Sequence, residues 1–530
     1  MGSHSKFLLG RGRLRSAEPF IFLAIVLLHL SPIFSSGFFV TYDGPAHLYN
    51  ARLMAELLAG DPIAREWYSF NPTLVPNWTG HLLLAALMIV FDAAVAGKIL
   101  AALILISFAY AFRFLIRSMK GDLAICYFIF PFLYTFPFMG GFYNFMLGTV
   151  LLLVAIGILF KEDQRTATSF RSKMTVLATV VYLCHLLPFA ILTVAMILHS
   201  IRTVWRLRKA KDRPDRKRIM IRNFLDLLIP LALPLLFTVI YHLSIQIPGE
   251  AHLLSLKDHL QWLWELRPLI VFGNEQEIFR ADLVAKIVLL LLGAALVILV
   301  RSIKKKLPLP ENAETGAFLL FMILTAYFIL PDSNGSAGFI SIRLAMLCFV
   351  FALLWLSVMV LPRWLTIPLI AVVLVLQFRT IVLQTRLARD HGAVASECNS
   401  FARLIPAGSV VLPLNFSDNW FHAHMIDHIA IEHPVILLNN YETGTGYFPV
   451  VWAKKPMPYF LLNDRHHDGR PCLYWESDRD GPRRKIDHVF ILGSMELPTD
   501  TCVVNAFRSI EAGYELKHAT ANCRLYALRR

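Results

Sequence analysis

The stretch Thr41-Tyr42-Asp43-Gly44-Pro45-Ala46-His47-Leu48-Tyr49-Asn50 sets a carboxylate and an imidazole four residues apart. Asp43 suits a helix N-cap, and Pro45 suits the first helical turn, where its missing N–H costs nothing. At that spacing Asp43 and His47 lie over one helix face. Such a pair can activate a hydroxyl nucleophile, or ligate a divalent metal ion if one is used. The same residues are equally consistent with a plain helix cap and a histidine packed at a lipid surface.

The elements that position this pair are membrane spans. Of 530 residues, 56% are hydrophobic and 17% charged, with a mean hydropathy of +0.57. That is well below the roughly one-quarter charged residues of a soluble protein. The apolar residues cluster into runs long enough to cross a bilayer, which takes about 20 residues. The net charge of +14 is concentrated between those runs, with ten Lys/Arg against two Asp in 202–222. This is the positive-inside pattern, not a nucleic-acid surface, which would need interleaved aromatics and a recognisable motif. Segments 41–78 and 248–280 are neutral to acidic and belong on the opposite, outer side.

Placing the basic segments inside predicts eleven crossings, near 20–40, 95–116, 121–138, 143–160, 172–185, 187–201, 223–247, 281–300, 314–331, 343–362 and 364–382. His185 and Pro188 divide the fifth from the sixth. The run at 20–40 reads as an uncleaved signal anchor. Stretch 79–91 is too short to span and is assigned to an interfacial helix within the first outer loop, 41–94. The fold class is thus a polytopic α-helical membrane protein, residues 1–384, with a C-terminal α/β soluble domain, residues 385–530, on the outer face.

That domain is polar and holds nine of the 18 histidines. Segments 409–414 and 488–492 read as buried strands, and 395–405 as a helix before them. Its cysteines, Cys398, Cys472, Cys502 and Cys523, permit three pairings or none. His422-Ala423-His424 with Asp418 nearby is a weak metal pattern, and Asn439–Gly446 is a polar loop able to face an acceptor.

A first span followed at once by an outer loop with an acidic residue near its start resembles the GT-C superfamily of integral-membrane glycosyltransferases. Protein O-mannosyltransferases and aminoarabinose transferases belong to it. The resemblance covers roughly residues 20–380 in layout and is closest at Asp43. It implies that Asp43 is the catalytic acid or base, that the donor is a sugar on a polyprenyl phosphate, and that the acceptor is a glycan, lipid or protein. It also implies residence in a bacterial inner membrane; the basic residues Lys6, Arg11, Arg13 and Arg15 before the first span put the N-terminus in the cytoplasm.

Many members carry a second acidic residue in the next outer loop. Here that loop, Met139–Asn144, has none. Asn144 can orient a substrate or weakly ligate a metal, but it cannot act as a base. His185 at the next helix break can supply a further polar group or serve structure alone. A phosphate-bearing donor calls for cations near the outer face. Arg343, at the start of the tenth span, and Arg280, at the start of the eighth, are the candidates, since either can bind phosphate through two N–H groups. Snorkelling to lipid head groups is the competing role for both. Trp78, Trp262 and Trp264 suit sugar stacking or interfacial anchoring.

The sequence holds no Walker A loop, dinucleotide fingerprint or G-x-S-x-G elbow. A transporter or lipid flippase would place ionisable residues midway through the spans, which are nearly free of them. A non-catalytic scaffold for envelope assembly would leave Asp43 without a task.

Overall fold

A computed structural model describes residues 17–161, 167–209, 215–244, 251–310, 312–333, 338–453, 461–463, 472–474, 486–493 and 501–529. The chain begins with helix α1 (Ala17–Leu28). It ends well short of the predicted 20–40 crossing. His29 turns its Nδ1 onto the Ile25 carbonyl at 2.7 Å, and Pro32 has no N–H to continue the ladder. Residues 29–37 therefore run as turns and bends.

The loop after α1 leads into α2 (Gly44–Ala59), α3 (Pro62–Trp67), strand β1 (Tyr68–Phe70) and α4 (Trp78–Leu87). The last of these occupies the stretch read as an interfacial helix. Helix α5 (Ala93–Ser118) matches the second predicted span. The third, at 121–138, is not one α-helix. It is a 3-10 helix, Leu123–Phe132, with Pro131 inside it, then a short α6 (Phe136–Met139). Ten residues of 3-10 helix reach only about 20 Å, short of the hydrocarbon thickness.

Helices α7 (Tyr143–Phe160), α8 (Ala167–Cys184), α9 (Leu186–Lys209) and α10 (Arg216–Ser244) follow, with the break between α8 and α9 falling at His185. Then come α11 (Leu256–Trp264), α12 (Glu275–Lys304), α13 (Ala313–Ile329), α14 (Ile340–Val358) and α15 (Arg363–Ser400). Among the described residues, seven helices are long and apolar enough to cross a membrane. They cover seven of the eleven predicted spans. The spans predicted at 20–40, 121–138 and 314–331 are shorter apolar helices, and that at 172–185 falls on α8, which ends at Cys184.

Burial separates the helices by role. In α14, 94% of the apolar stretch is buried, against 17% in α10. Helix α14 is the central pillar and α10 lies at the periphery, so a polar residue on α14 is held inside the protein.

Helix α15 runs through residue 385 unbroken, carrying the chain from the apolar region into the C-terminal domain. That domain comprises β2 (Val410–Phe416), β3 (Ile436–Leu437), α16 (Tyr441–Thr445), β4 (Val450–Trp452), β5 (Leu461–Asn463), β6 (Cys472–Tyr474), β7 (His488–Gly493), α17 (Thr501–Gly513), β8 (Tyr514–Ala519) and β9 (Cys523–Leu528). Its main sheet has the order β3-β2-β7-β9-β8, with β2 parallel to β3 and β7, and β9 antiparallel to both its neighbours. The two predicted strands are its centre. Cys398 and Cys523 are buried with their Sγ atoms 3.7 Å apart, whereas the side chains of Cys472 and Cys502 and the loop residues 334–337 lie outside the described residues.

The domain does not hang free of the helices. β4 pairs antiparallel with β1, Tyr68 opposite Trp452 and Phe70 opposite Val450. The Tyr49 hydroxyl meets Tyr68 at 2.9 Å and takes the Leu437 N–H at 3.1 Å. Asn50 and Asn440 exchange amide hydrogen bonds at 3.0 Å in both directions.

Candidate active site

Asp43 stands at the N-cap position of α2, yet its carboxylate makes no capping bond. The backbone explains where it goes instead. Tyr42 and Asp43 donate their N–H groups to Met139 O (2.9 Å) and Gly140 O (3.2 Å), which anchors the turn on the loop before α7. Gly141 closes that loop with φ +79, and a Cβ there would stand 2.8 Å from Asp43 N. Only glycine allows so close an approach. The carboxylate is thereby free to face a cavity of about 640 Å3.

Five of the six residues proposed from sequence line that cavity: Asp43, His47, Asn144, His185 and Arg343. The sixth, Arg280, does not. Its guanidinium is tied to Thr380 Oγ1 (3.0 Å) and Leu269 O (2.7 Å), beside a separate groove between α12 and α15. There it links the 3-10 turn Arg267–Leu269 to α15.

Arg343, on the central pillar, is 9% exposed. Its guanidinium lies 4.1 Å from the centroid of Phe142 and 3.4 Å from His185 Nε2, and no carboxylate among the described residues lies in ion-pair range. The phenyl face stabilises the cation without neutralising it. Its positive charge is open to an anion entering the cavity. Asn144 works from below: its Oδ1 accepts from Gly80 N at 2.6 Å and its Nδ2 donates to Asn77 O at 3.1 Å, which fixes the start of α4.

The Asp43 side chain is 15% exposed, with His424 Nε2 at 3.5 Å. Burial lifts its carboxyl from 3.8 to about 7. Glu442 adds to the rise, while His47, Arg343 and the Tyr441 hydrogen bond oppose it. A carboxylate poised near neutrality both accepts and releases a proton at physiological pH. The ring of Tyr441 also packs on His424 at 4.6 Å, so α16 and the segment after β2 close over Asp43 together.

His47 is not paired directly with Asp43. Its Nδ1 meets Glu442 Oε1 at 2.6 Å and its Nε2 meets Gly141 O at 2.9 Å. His81, on α4, meets the other oxygen, Glu442 Oε2, through Nε2 at 2.8 Å, and its Nδ1 lies 3.0 Å from Asn77 O. Burial opposes the charge of His47, but Glu442, Asp43 and the Gly141 carbonyl together raise the imidazole above its ordinary range. Burial likewise opposes the charge of Glu442, yet His81 and His47 hold its carboxyl down at about 2. Among the described residues, the group able to hold a metal ion is His47, His81 and Glu442. The pair expected from sequence, Asp43 with His47, is not that group.

His81 was not legible in the sequence: a single histidine in a short apolar helix carries no periodic or motif signal. Glu442 and Tyr441 lie in the polar loop read as acceptor-facing, but nothing local gave them partners some 400 residues earlier. His424 belongs to the weak His-x-His pattern. In the fold the two histidines part, His424 facing Asp43 and His422 bonding to His391 Nδ1 at 3.1 Å.

Long apolar helices, a loop at the head of α2 that carries Asp43, and a C-terminal α/β domain folded over it make up a polytopic helical membrane-protein fold. Two solved structures share it along nearly the whole chain. ArnT from Cupriavidus metallidurans bound to undecaprenyl phosphate has a TM-score of 0.56 at 9% identity, covering 97% of this chain and 98% of that one. The same protein in its apo state has a TM-score of 0.55 at 10% identity, with the same coverage. No protein-family model matches the sequence, and no curated relative matches it.

Proposed function

We propose that this protein is a membrane glycosyltransferase that moves a sugar from a polyprenyl-phosphate carrier to an acceptor on the outer face of a cell membrane. The observation that carries the reading is the pairing, in one cavity, of a near-neutral carboxylate, Asp43, with an unneutralised guanidinium, Arg343. In this reading Asp43 takes the proton of the acceptor hydroxyl as it attacks the anomeric carbon. Arg343 holds the phosphate that leaves with the polyprenyl chain, a charge-assisted interaction strengthened by burial. Tyr42, Tyr441 and Tyr447, which also line the cavity, present amphipathic rings suited to a sugar.

The ArnT neighbour was solved with undecaprenyl phosphate, a ligand of the same chemical class as the donor carrier proposed here. The excess of basic residues between the spans supports a non-cytoplasmic side for Asp43 and the C-terminal domain, where a donor must arrive on a lipid. The test is transfer from a labelled polyprenyl-phosphate sugar in membranes holding wild type, Asp43→Ala or Arg343→Ala. Both variants are expected to lose transfer. Undiminished transfer by Asp43→Ala overturns the mechanism.

A further inference from the structure

Glu442 joins three parts of the chain that are far apart in sequence: α2, α4 and the C-terminal domain. We infer that His47 Nδ1, His81 Nε2 and the Glu442 carboxylate bind one divalent transition-metal ion of the zinc type, clamping the C-terminal domain onto the segment that carries Asp43.

The hydrogen-bond pattern argues for it. His47 Nε2 and His81 Nδ1 each lie on a backbone carbonyl, Gly141 O at 2.9 Å and Asn77 O at 3.0 Å. A carbonyl only accepts, so those two nitrogens carry hydrogens, and the lone pairs of the neutral rings sit on His47 Nδ1 and His81 Nε2. Both of these atoms converge on Glu442. A histidine whose far N–H is held by a carbonyl, and whose near nitrogen faces a carboxylate, has the outer-shell arrangement of a metal ligand. Asn144 extends it, since its Nδ2 holds the same Asn77 carbonyl that orients His81.

Distance and burial agree. One ligand atom from each residue lies within 4.8 Å of the others. The three residues are 5%, 1% and 0% exposed, and the Phe448 ring packs on both imidazoles, 6.3 Å from His47 and 5.6 Å from His81. The two ring centroids stand 4.9 Å apart in a dry pocket, and one divalent ion between them takes both ring lone pairs and the Glu442 carboxylate. Two imidazoles and a carboxylate, with no thiolate, form a donor set that favours zinc and its neighbours over calcium or magnesium.

The inference rests on side-chain placement and is read by metal content, independently of the transfer reaction. Full-length protein, purified without metal-affinity resin and dialysed against zinc, should hold about one ion per chain by mass spectrometry. Glu442→Gln and His81→Gln should hold less than about a tenth of that. His424→Gln, which leaves the three ligands intact, should keep it. Because the ligand variants can misfold, wild type is also to be chelated and refilled with cobalt. A tetrahedral nitrogen–oxygen visible spectrum that zinc displaces, and a melting temperature that falls on chelation and recovers on refilling, support the site. Metal-free wild type after zinc dialysis, or full occupancy in Glu442→Gln, overturns it.

Discussion

Replacing Asp43 with Asn separates the demands of stability from those of chemistry. In the unfolded chain the Asp43 carboxyl ionises near its ordinary 3.8; in the fold burial lifts it to about 7. The folded state therefore binds more protons than the unfolded state across this interval, and stability falls as pH rises through it. Below pH 3.8 both states carry the protonated acid and nothing is lost. Above about 7 both are ionised and the loss is complete. A rise from 3.8 to about 7 corresponds to about 4 kcal/mol, an upper figure for a side chain still 15% exposed. Asparagine has nearly the same shape and no charge at any pH. Asp43→Asn should thus match wild type near pH 4 and exceed it at pH 8 by roughly 2–4 kcal/mol, while losing transfer activity. Equilibrium unfolding in mixed micelles, followed by tryptophan fluorescence from pH 4 to 8.5, measures both curves. Parallel curves for the two proteins would refute the claim that the fold spends stability to hold a buried carboxylate its partners only partly compensate.

Other expectations follow from the same geometry. Arg343→Ala should raise the KM for a polyprenyl-phosphate donor about tenfold to a hundredfold, the range for a hydrogen bond to a charged group, and Arg343→Lys should recover only part of it; an unchanged KM in both removes Arg343 from the phosphate site. Gly141→Ala adds a Cβ 2.8 Å from Asp43 N at φ +79, so transfer should drop at least tenfold with helix content by circular dichroism unchanged; full activity would show that the Asp43 turn adapts freely. In protein isolated under oxidising conditions, peptide mapping should find Cys398 joined to Cys523, its neighbour at 3.7 Å; a bridge from Cys398 to Cys472 or Cys502 contradicts that packing.

How much of this was readable beforehand depended on range. Helices α5, α7, α9, α10, α12, α14 and α15 follow from apolar length alone, because crossing a bilayer is a requirement each segment meets by itself. The segments at 20–40 and 121–138 are just as apolar, but Pro32 and Pro131 lack the N–H their ladders need, and hydropathy does not register a broken ladder. Asp43, His47, Asn144, His185 and Arg343 stood out as polar groups at the edges of apolar runs, and the fold brings all five to one cavity. Arg280 stood out by the same criterion and went elsewhere, because Thr380 and the Leu269 carbonyl already take its N–H groups. His81 and the role of Glu442 depend on contacts spanning 361 and 395 residues, for which one sequence has no local mark.

Those long-range contacts make the C-terminal domain part of the site rather than an attachment to it, and Tyr441 shows how. Its hydroxyl lowers the Asp43 pKa through a side-chain hydrogen bond, while its ring rests on His424 at 4.6 Å. The hydrogen bond favours the ionised acid, so removing it must raise the Asp43 pKa further. Around Asp43, the charges of His47, Arg343 and Glu442 stay in place, as does His424 at 3.5 Å. Tyr441→Phe keeps the ring and deletes only the donor. A hydrogen bond to a charged group, about 1.5 kcal/mol at the lower end of its range, corresponds to about one pH unit. With Asp43 as the base, wild-type kcat should rise with pH through about 7, and the Tyr441→Phe profile should be displaced upward by about one unit with its plateau largely retained. A domain that merely covered the membrane helices would lower the plateau or raise KM and leave the midpoint where it was. An unmoved midpoint would therefore place the base outside the reach of Tyr441, and with it the case for a site shared between the membrane helices and the C-terminal domain.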